Sequence, residues 1–370
     1  MIRPNRAVVP KVMVLVFAAI LVAAACSSAA TTAPTAAPAT GAPATAAPSA
    51  EAKAYKIGWA DIYLTPTWMG QTLDAMKAEV ARLSTGGRTI DFQVFNANGD
   101  TTQQIAQIQA MIDQNYDAII VDAGSATALN PVIEQAVSKG IVVTNFDSLV
   151  TTDKAIRINT DTFTWGVITA QWLMDQIGGK GKIIAMNGPA GVSVSDDRYA
   201  GAESVLKKYP DVEVVADVRV EYNLAPAQQA CASALAANPD IVGIWSQGGA
   251  QSDGCLKALL AAGRKLVPMP GENFNGYLKD WAEQMPNGFS SFAVGQPTYL
   301  GAMAVTAAVN KLEGKTVAQY VNVPLPKITD DTLKDYVPND LPIDAYPAPY
   351  PPQAELDLLI ETGGEPLPVY

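Results

Sequence analysis

From Tyr55 onward the apolar residues follow two alternating patterns, short continuous or alternating runs and then stripes at helical spacing. The stretch 55–60 reads as a strand that breaks at Asp61 into a loop carrying Tyr63, Pro66 and Trp68. Met69, Leu73, Met76, Val80 and Leu83 follow at intervals of four, three, four and three, which sets them on one face of a helix. The same succession predicts strands at 90–95, 117–122 and 141–146. Between them it predicts a helix at 101–115, with Ile105, Ile108 and Ile112 on one face, and another from Asn130. Pro131 suits that helix start, because the first turn leaves its N–H groups unpaired in any case. Strands separated by helical segments require parallel crossovers, hence doubly wound α/β layers.

The rhythm restarts beyond Arg157. Helices are expected at 163–177, 193–209, from Pro226, and at 251–262, 275–285 and 299–312. Strands are expected at 182–186, 212–218, 241–245, 266–269 and 289–294, with an extended piece at 319–324. A second α/β lobe is therefore predicted. The tail beyond it carries Pro338, Pro342, Pro347, Pro349, Pro351 and Pro352, and is expected to wrap a surface without regular structure.

The front of the chain follows another logic. Arg3, Arg6 and Lys11 precede an uncharged run at 12–25 that ends in small residues, the three-part plan of a secretory signal. That run is too short to cross about 30 Å of hydrocarbon at about 1.5 Å per residue, so 1–25 is expected to be cleaved. Residues 26–54 are Ala, Thr, Pro and Ser with almost no charge, which cannot bury enough surface to fold and reads as a solvated tether.

Charge and composition then exclude whole classes. The 25 basic residues are outnumbered by 36 acidic ones and never run beyond a pair, so a nucleic acid partner is disfavoured. Histidine is absent, which removes the commonest general base and metal ligand, and the three cysteines are too dispersed for a zinc cluster. Ser193 and Ser195 lack a histidine to activate them, and the neighbouring acids Asp196-Asp197 and Asp330-Asp331 cannot face each other across a substrate. Gly178-Gly179-Lys180-Gly181-Lys182 precedes a strand instead of following one, so it reads as a helix-ending turn and not a phosphate loop. The chain is read as a binder without cofactor or metal, not as an enzyme. Cys231 and Cys255 fall on the two helices flanking the strand at 241–245, where either a disulfide or two buried thiols would fit.

What remains is a set of strand-end loops holding Asp61, Tyr63, Trp68, Asp147, Asn187, Arg198, Glu221, Tyr222, Gln247, Glu272, Asn273 and Gln296. A sugar presents hydroxyls around an apolar ring face, and carboxylates, amides, an arginine and aromatic rings answer that surface. Over roughly 55–325, the order of units and these strand-end residues resemble the ribose-binding protein family of periplasmic sugar-binding proteins that feed ABC importers. In this resemblance Thr65-Pro66-Thr67-Trp68 stands at the family's asparagine-proline-aromatic loop, and Asp147, Arg198, Tyr222 and Gln296 match family positions. Ser148, Gly248 and Asn273 stand where an arginine, an asparagine and a hydroxyl-binding aspartate are usual, a pattern that argues against ribose itself.

The resemblance implies a type I periplasmic binding protein fold, two doubly wound parallel-sheet lobes joined by a three-segment hinge that closes on ligand. It divides the chain into 55–160 with 297–320, and 161–296 with 321–370. It implies Asp61, Tyr63, Trp68, Asp147, Arg198, Tyr222, Asn273 and Gln296 as ligand contacts. The expected partners are a sugar and an ABC transporter permease, with the receptor itself a monomer. Leu21 to Cys26 is similar to a lipobox, with Ala23 where leucine is usual. It implies lipidation at Cys26 and an exported protein anchored to the membrane, facing the periplasm or the cell exterior. A sensory receptor for a sugar or a nucleoside-like metabolite, or a carbohydrate-active enzyme using Asp147 and Glu221, stands as the alternative.

Overall fold

β1 (Lys53–Asp61) becomes steadily more buried along its length, from exposed Lys53 to fully buried Asp61. The computed structural model describes residues 53–65, 67–337 and 340–365; the expected signal segment 1–25, Cys26 and nearly all of the expected tether lie outside the described residues, as do Pro66 and Pro338. α1 (Trp68–Leu83) lays Met76 and Leu83 into the core, with Met69, Leu73 and Val80 packed beside them, as their spacing requires. β2 (Arg88–Asn96) follows, then α2 (Thr101–Asp113), whose first N–H groups are capped by Asp100, bonded to the amides of Thr102 and Gln103. The succession continues through β3 (Ala118–Asp122), α3 (Asn130–Ser138), β4 (Val142–Phe146) and β5 (Ile156–Thr160). β5 was not anticipated; buried Asn159 and Thr160 interrupt its apolar pattern and conceal it.

The second half holds α4 (Thr162–Ile177), β6 (Gly181–Asn187), α5 (Ser193–Leu206), β7 (Val212–Arg219), α6 (Leu224–Ala237), β8 (Ile241–Ser246) and α7 (Gly249–Ala261). β9 (Gly271–Glu272), α8 (Asn275–Gln284), β10 (Phe292–Val294), α9 (Leu300–Leu312), β11 (Tyr320–Val323), β12 (Lys327–Thr329) and α10 (Gln353–Thr362) complete it. The strand expected at 266–269 is extended chain, where the Pro268 carbonyl accepts from the Ile244 amide at 3.1 Å, and regular pairing resumes only at β9. Cys231 on α6 and Cys255 on α7 are joined by a disulfide with Cα atoms 5.3 Å apart. Closing a loop of this order restricts the unfolded chain and stabilises by roughly 3 kcal/mol.

One six-stranded sheet, in the order β11-β5-β4-β3-β1-β2, is parallel throughout. Two three-stranded sheets, β7-β6-β8 and β12-β10-β9, form the second lobe. The chain crosses between lobes after β5, at Gln296-Pro297 between β10 and α9, and between β11 and β12. Two corrections to the domain boundaries follow. Val321 and Val323 pair with β5 in the first sheet, so the boundary drawn at 320 splits a first-lobe strand. The proline-rich tail, assigned to the second lobe without regular structure, ends in α10, whose Leu356 and Ile360 pack in the first-lobe core with Ile57 and Phe146. Pro352 precedes this helix, the side on which a proline is tolerated.

Candidate functional site

The carboxyl ends of the first-lobe strands gather three carboxylates. Asp61 and Asp122 are register partners at the ends of β1 and β3, and Asp147 follows β4; all three are buried. Gln104 ties two of these strand ends together, its Nε2 donating to the carbonyls of Ala60 (3.1 Å) and Asp122 (2.6 Å). The Ser148 amide donates to Asp122 Oδ1 at 3.1 Å. Asp147 has φ 55, a left-handed conformation that aspartate tolerates better than most side chains. Its carbonyl accepts from Asn159 Nδ2 at 2.5 Å, which fixes the turn.

Removing three like charges from water favours their protonated forms. Asp61 is pushed up to about 7, chiefly by burial, with the charge of Asp147 adding to it while the Ile62 and Tyr63 amides pull the other way. Burial, then Asp147 and Asp61, raises Asp122 well above the ordinary carboxylate range. Asp147 is also raised by burial, but its bond from Gln296 and the charge of Arg198 oppose the rise. Neither Asp61 oxygen makes a hydrogen bond of ordinary geometry among the described residues.

Gln296, at the second crossing, connects these groups to the hinge. Its Nε2 donates to Asp147 Oδ1 (2.6 Å) and Asn159 Oδ1 (2.9 Å), its Oε1 accepts from Thr160 Oγ1 (2.6 Å), and its carbonyl accepts from Trp68 Nε1 (2.8 Å). Two crossings and the first loop thus meet on one residue. Trp68 packs against the cores of both lobes.

The second lobe answers with an arginine. Gly166 on α4 and Gly201 on α5 let the two helices touch, since a Cβ at Gly166 would lie 1.8 Å from the Arg198 carbonyl oxygen. Arg198 is thereby held over the Trp165 ring at 4.5 Å, an arrangement that suits a cation. Its Nη2 pairs with Glu272 Oε1 at 2.9 Å and its Nη1 donates to the Gln247 carbonyl at 2.9 Å. Burial opposes the Arg198 charge, but Glu272, Tyr222 and Asp147 together outweigh it and the guanidinium stays charged; burial raises Glu272 against the pull of Arg198. Tyr222 donates to Gln247 Oε1 at 3.0 Å, and Gln247 Nε2 donates to Asn187 Oδ1 at 2.9 Å. The Leu149 amide donates across the lobes to Ser193 Oγ at 2.7 Å.

Of the residues expected from the sequence, Asp61, Trp68, Asp147 and Gln296 are gathered on one side, and Arg198, Tyr222 and Asn273 on the other. Tyr63 is separate. It is 42% exposed and lines an open cleft of ≈ 380 Å³ with Pro189, Arg219, Val220, Glu221 and Pro226. Sequence reasoning missed Asp122, Trp165 and Tyr346. The strand-end rule that picked out Asp61 also applied to Asp122, whereas nothing in the sequence tied Trp165 or Tyr346 to the site. Among the described residues no group of three His, Cys, Asp or Glu side chains is placed to hold a metal. The first lobe contributes mainly carboxylates, and the second a guanidinium, a phenol and amides, groups that answer hydroxyls.

Residues 62–316 match the periplasmic binding protein domain family. The xylitol-binding protein of Mycolicibacterium smegmatis is 33% identical over 244 residues, 64% of this chain and 68% of its own length. The ribose import binding protein RbsB of Bacillus subtilis is 22% identical over 233 residues, 63% of this chain and 75% of its own. Among solved structures, an ABC transporter solute binding protein from Thermobispora bispora superposes with a TM-score of 0.75 at 25% identity, covering 85% of this chain and 98% of that one.

Proposed function

The chain belongs to the periplasmic binding protein domain family, and from that premise we propose that it is a non-catalytic receptor holding a sugar or sugar alcohol between its lobes for an ABC importer. The supporting observation is that Asp147 is held by Gln296 of the second crossing at 2.6 Å while Leu149, two residues on, donates across the lobes at 2.7 Å to Ser193 Oγ on α5, the helix that carries Arg198. A ligand that bonds to both sides favours the closed form over the open one, which gives a permease a means of telling loaded from empty receptor. Asp61, Trp68, Asp147, Arg198, Tyr222, Asn273 and Gln296 are the proposed contacts, with Tyr63 at the rim.

The ligand class rests on charge. Ser148 and Asn273 in place of the family's arginine and aspartate leave fewer fixed charges and more neutral hydrogen-bonding groups. That change suits an acyclic or larger polyol, and a relative named for xylitol binding is similar over 64% of the chain. Titration of the purified folded domain with xylitol, D-ribose, D-allose and myo-inositol tests it. A ligand at 100 times its Kd adds about 2.7 kcal/mol to the native state, roughly a 5 °C rise in melting temperature for a domain of this size. A flat melting temperature across the panel would refute the reading.

The address belongs to the same proposal. Export and lipidation at Cys26 would hold the receptor at the membrane by its acyl chains, with residues 27–54 as the tether. Wild-type protein is expected in the membrane fraction and Cys26→Ser in the soluble fraction. Equal membrane retention of both would remove the lipid anchor.

A further inference from the structure

Beyond residue 316, where the family match ends, the chain makes a fourth passage between the lobes. Leu333 lies in the second-lobe core and α10 in the first, and the segment between them is bonded to both. On the second lobe, the amides of Asn275 and Gly276 donate to the carbonyls of Ala345 and Ile343, each at 2.7 Å, and Asn273 Nδ2 donates to the Pro347 carbonyl at 2.9 Å. On the first lobe, Gln71 Oε1 accepts from the Tyr346 amide at 3.1 Å, and the rings of Tyr299 and Tyr350 lie 5.0 Å apart.

Tyr346 sits at the middle of this passage. It is 5% exposed, and its ring meets Phe274 edge-on at 5.5 Å, next to Asn273 and Glu272 in the chain. Its hydroxyl makes no hydrogen bond to another described residue, and Asn273 Oδ1 is fully buried without a partner among them. Burial raises the Tyr346 hydroxyl well above its ordinary range, with Glu272, Arg198 and Tyr222 close enough to act on it. A buried polar atom left unsatisfied, as Asn273 Oδ1 is, costs about 1–3 kcal/mol, a cost removed when a hydroxylated ligand meets it.

We propose that residues 340–350 form a strap that completes the ligand site, with Tyr346 as a specificity-determining residue and the Pro347 carbonyl turning Asn273 so that its Oδ1 accepts from the ligand. This rests on the reading of the cleft as a polyol site and extends it. The strap takes up one of the two Asn273 amide hydrogens and leaves Oδ1 to accept, and the phenol adds a donor that the 62–316 domain does not contain.

Isothermal titration with xylitol, D-ribose, D-allose and myo-inositol tests it on the wild type, Tyr346→Phe, Tyr346→Leu and, on the outer face of α10, Leu358→Ala. Tyr346→Phe keeps the ring and its packing, and is expected to weaken the best-bound ligand about 5- to 10-fold, the worth of one hydrogen bond. Tyr346→Leu is expected to change the order of preference within the panel, which a merely structural role would not do. Leu358, 57% exposed and outside the strap, should change neither on substitution by alanine. Wild-type affinities and an unchanged order in both Tyr346 variants would overturn the inference while leaving the proposed function standing. Absence of binding by the wild type would sink both.

Discussion

Arg198→Met is expected to destabilise the ligand-free protein by about 3–5 kcal/mol and to abolish ligand binding, because it leaves a buried carboxylate without its partner. Arg198 and Glu272 are both nearly excluded from solvent, and their contact at 2.9 Å is the only charge pairing that Glu272 makes among the described residues. The substitution also removes the cation from the Trp165 face and the donor from the Gln247 carbonyl. The double variant Arg198→Met with Glu272→Gln separates two roles. Neutralising the orphaned acid should recover much of the stability in urea unfolding, since a buried pair exchanged for neutral groups is often close to neutral overall. Binding should stay lost, because the guanidinium facing Asp147 is still missing. A single variant with less than about 1 kcal/mol of destabilisation would show that the pair is not desolvated as the geometry requires.

The second large effect is on pH. Asp61 rises from 3.8 to about 7 on folding, so the folded chain holds a proton there that the unfolded chain has already released. The resulting stabilisation is fully present below about pH 4 and is lost as pH rises through about 7. A shift of this size corresponds to about 4 kcal/mol. Asp61→Asn mimics the protonated side chain, and is therefore expected to gain on the order of 4 kcal/mol at pH 8 while differing little from the wild type at pH 4. Asp253, raised to about 7 by burial with Lys257 opposing, titrates in the same window, so the difference between wild type and variant is the quantity to follow. Parallel stability curves for the two proteins between pH 4 and 8 would mean that Asp61 is hydrated. A ligand hydroxyl on Asp61 supplies what the buried carboxylate lacks, so ligand should bring its pKa down and flatten the wild-type curve.

Much of this architecture is written in local patterns. The stripe from Met69 to Leu83 and the run at 117–122 place α1 and β3 within a residue or two, because burial on one face, or on both, selects apolar residues at matching spacing. The pattern fails where polar residues are buried. β5 carries Asn159 and Thr160 inside, bonded to Gln296 and Asp147, so its sequence looks like a loop although it is a central strand of the sheet. α10 was lost for the opposite reason, since the prolines before it suggested irregular chain and the apolar residues Leu356, Leu359 and Ile360 were not weighed. In the site, strand-end position found Asp61, Asp147 and Arg198, because the end of a strand is a local mark even where the bonding partner is distant in sequence. Tyr346 depends on a passage across more than seventy residues of sequence to Asn273, and no local signal carries that distance.

The placement of α10 also bears on the order in which the protein can be completed. The second lobe is nearly continuous, from α4 to β10, with only the edge strand β12 added later. The first lobe begins at β1 but waits for α9, β11 and finally α10, whose Leu356 and Ile360 close the core around Ile57 and Phe146. During synthesis the lobe started first is therefore finished last. A chain interrupted near residue 350 would carry a second lobe complete in all its strands and a first lobe with an open apolar face where α10 belongs, a species exposed to aggregation and proteolysis at that face.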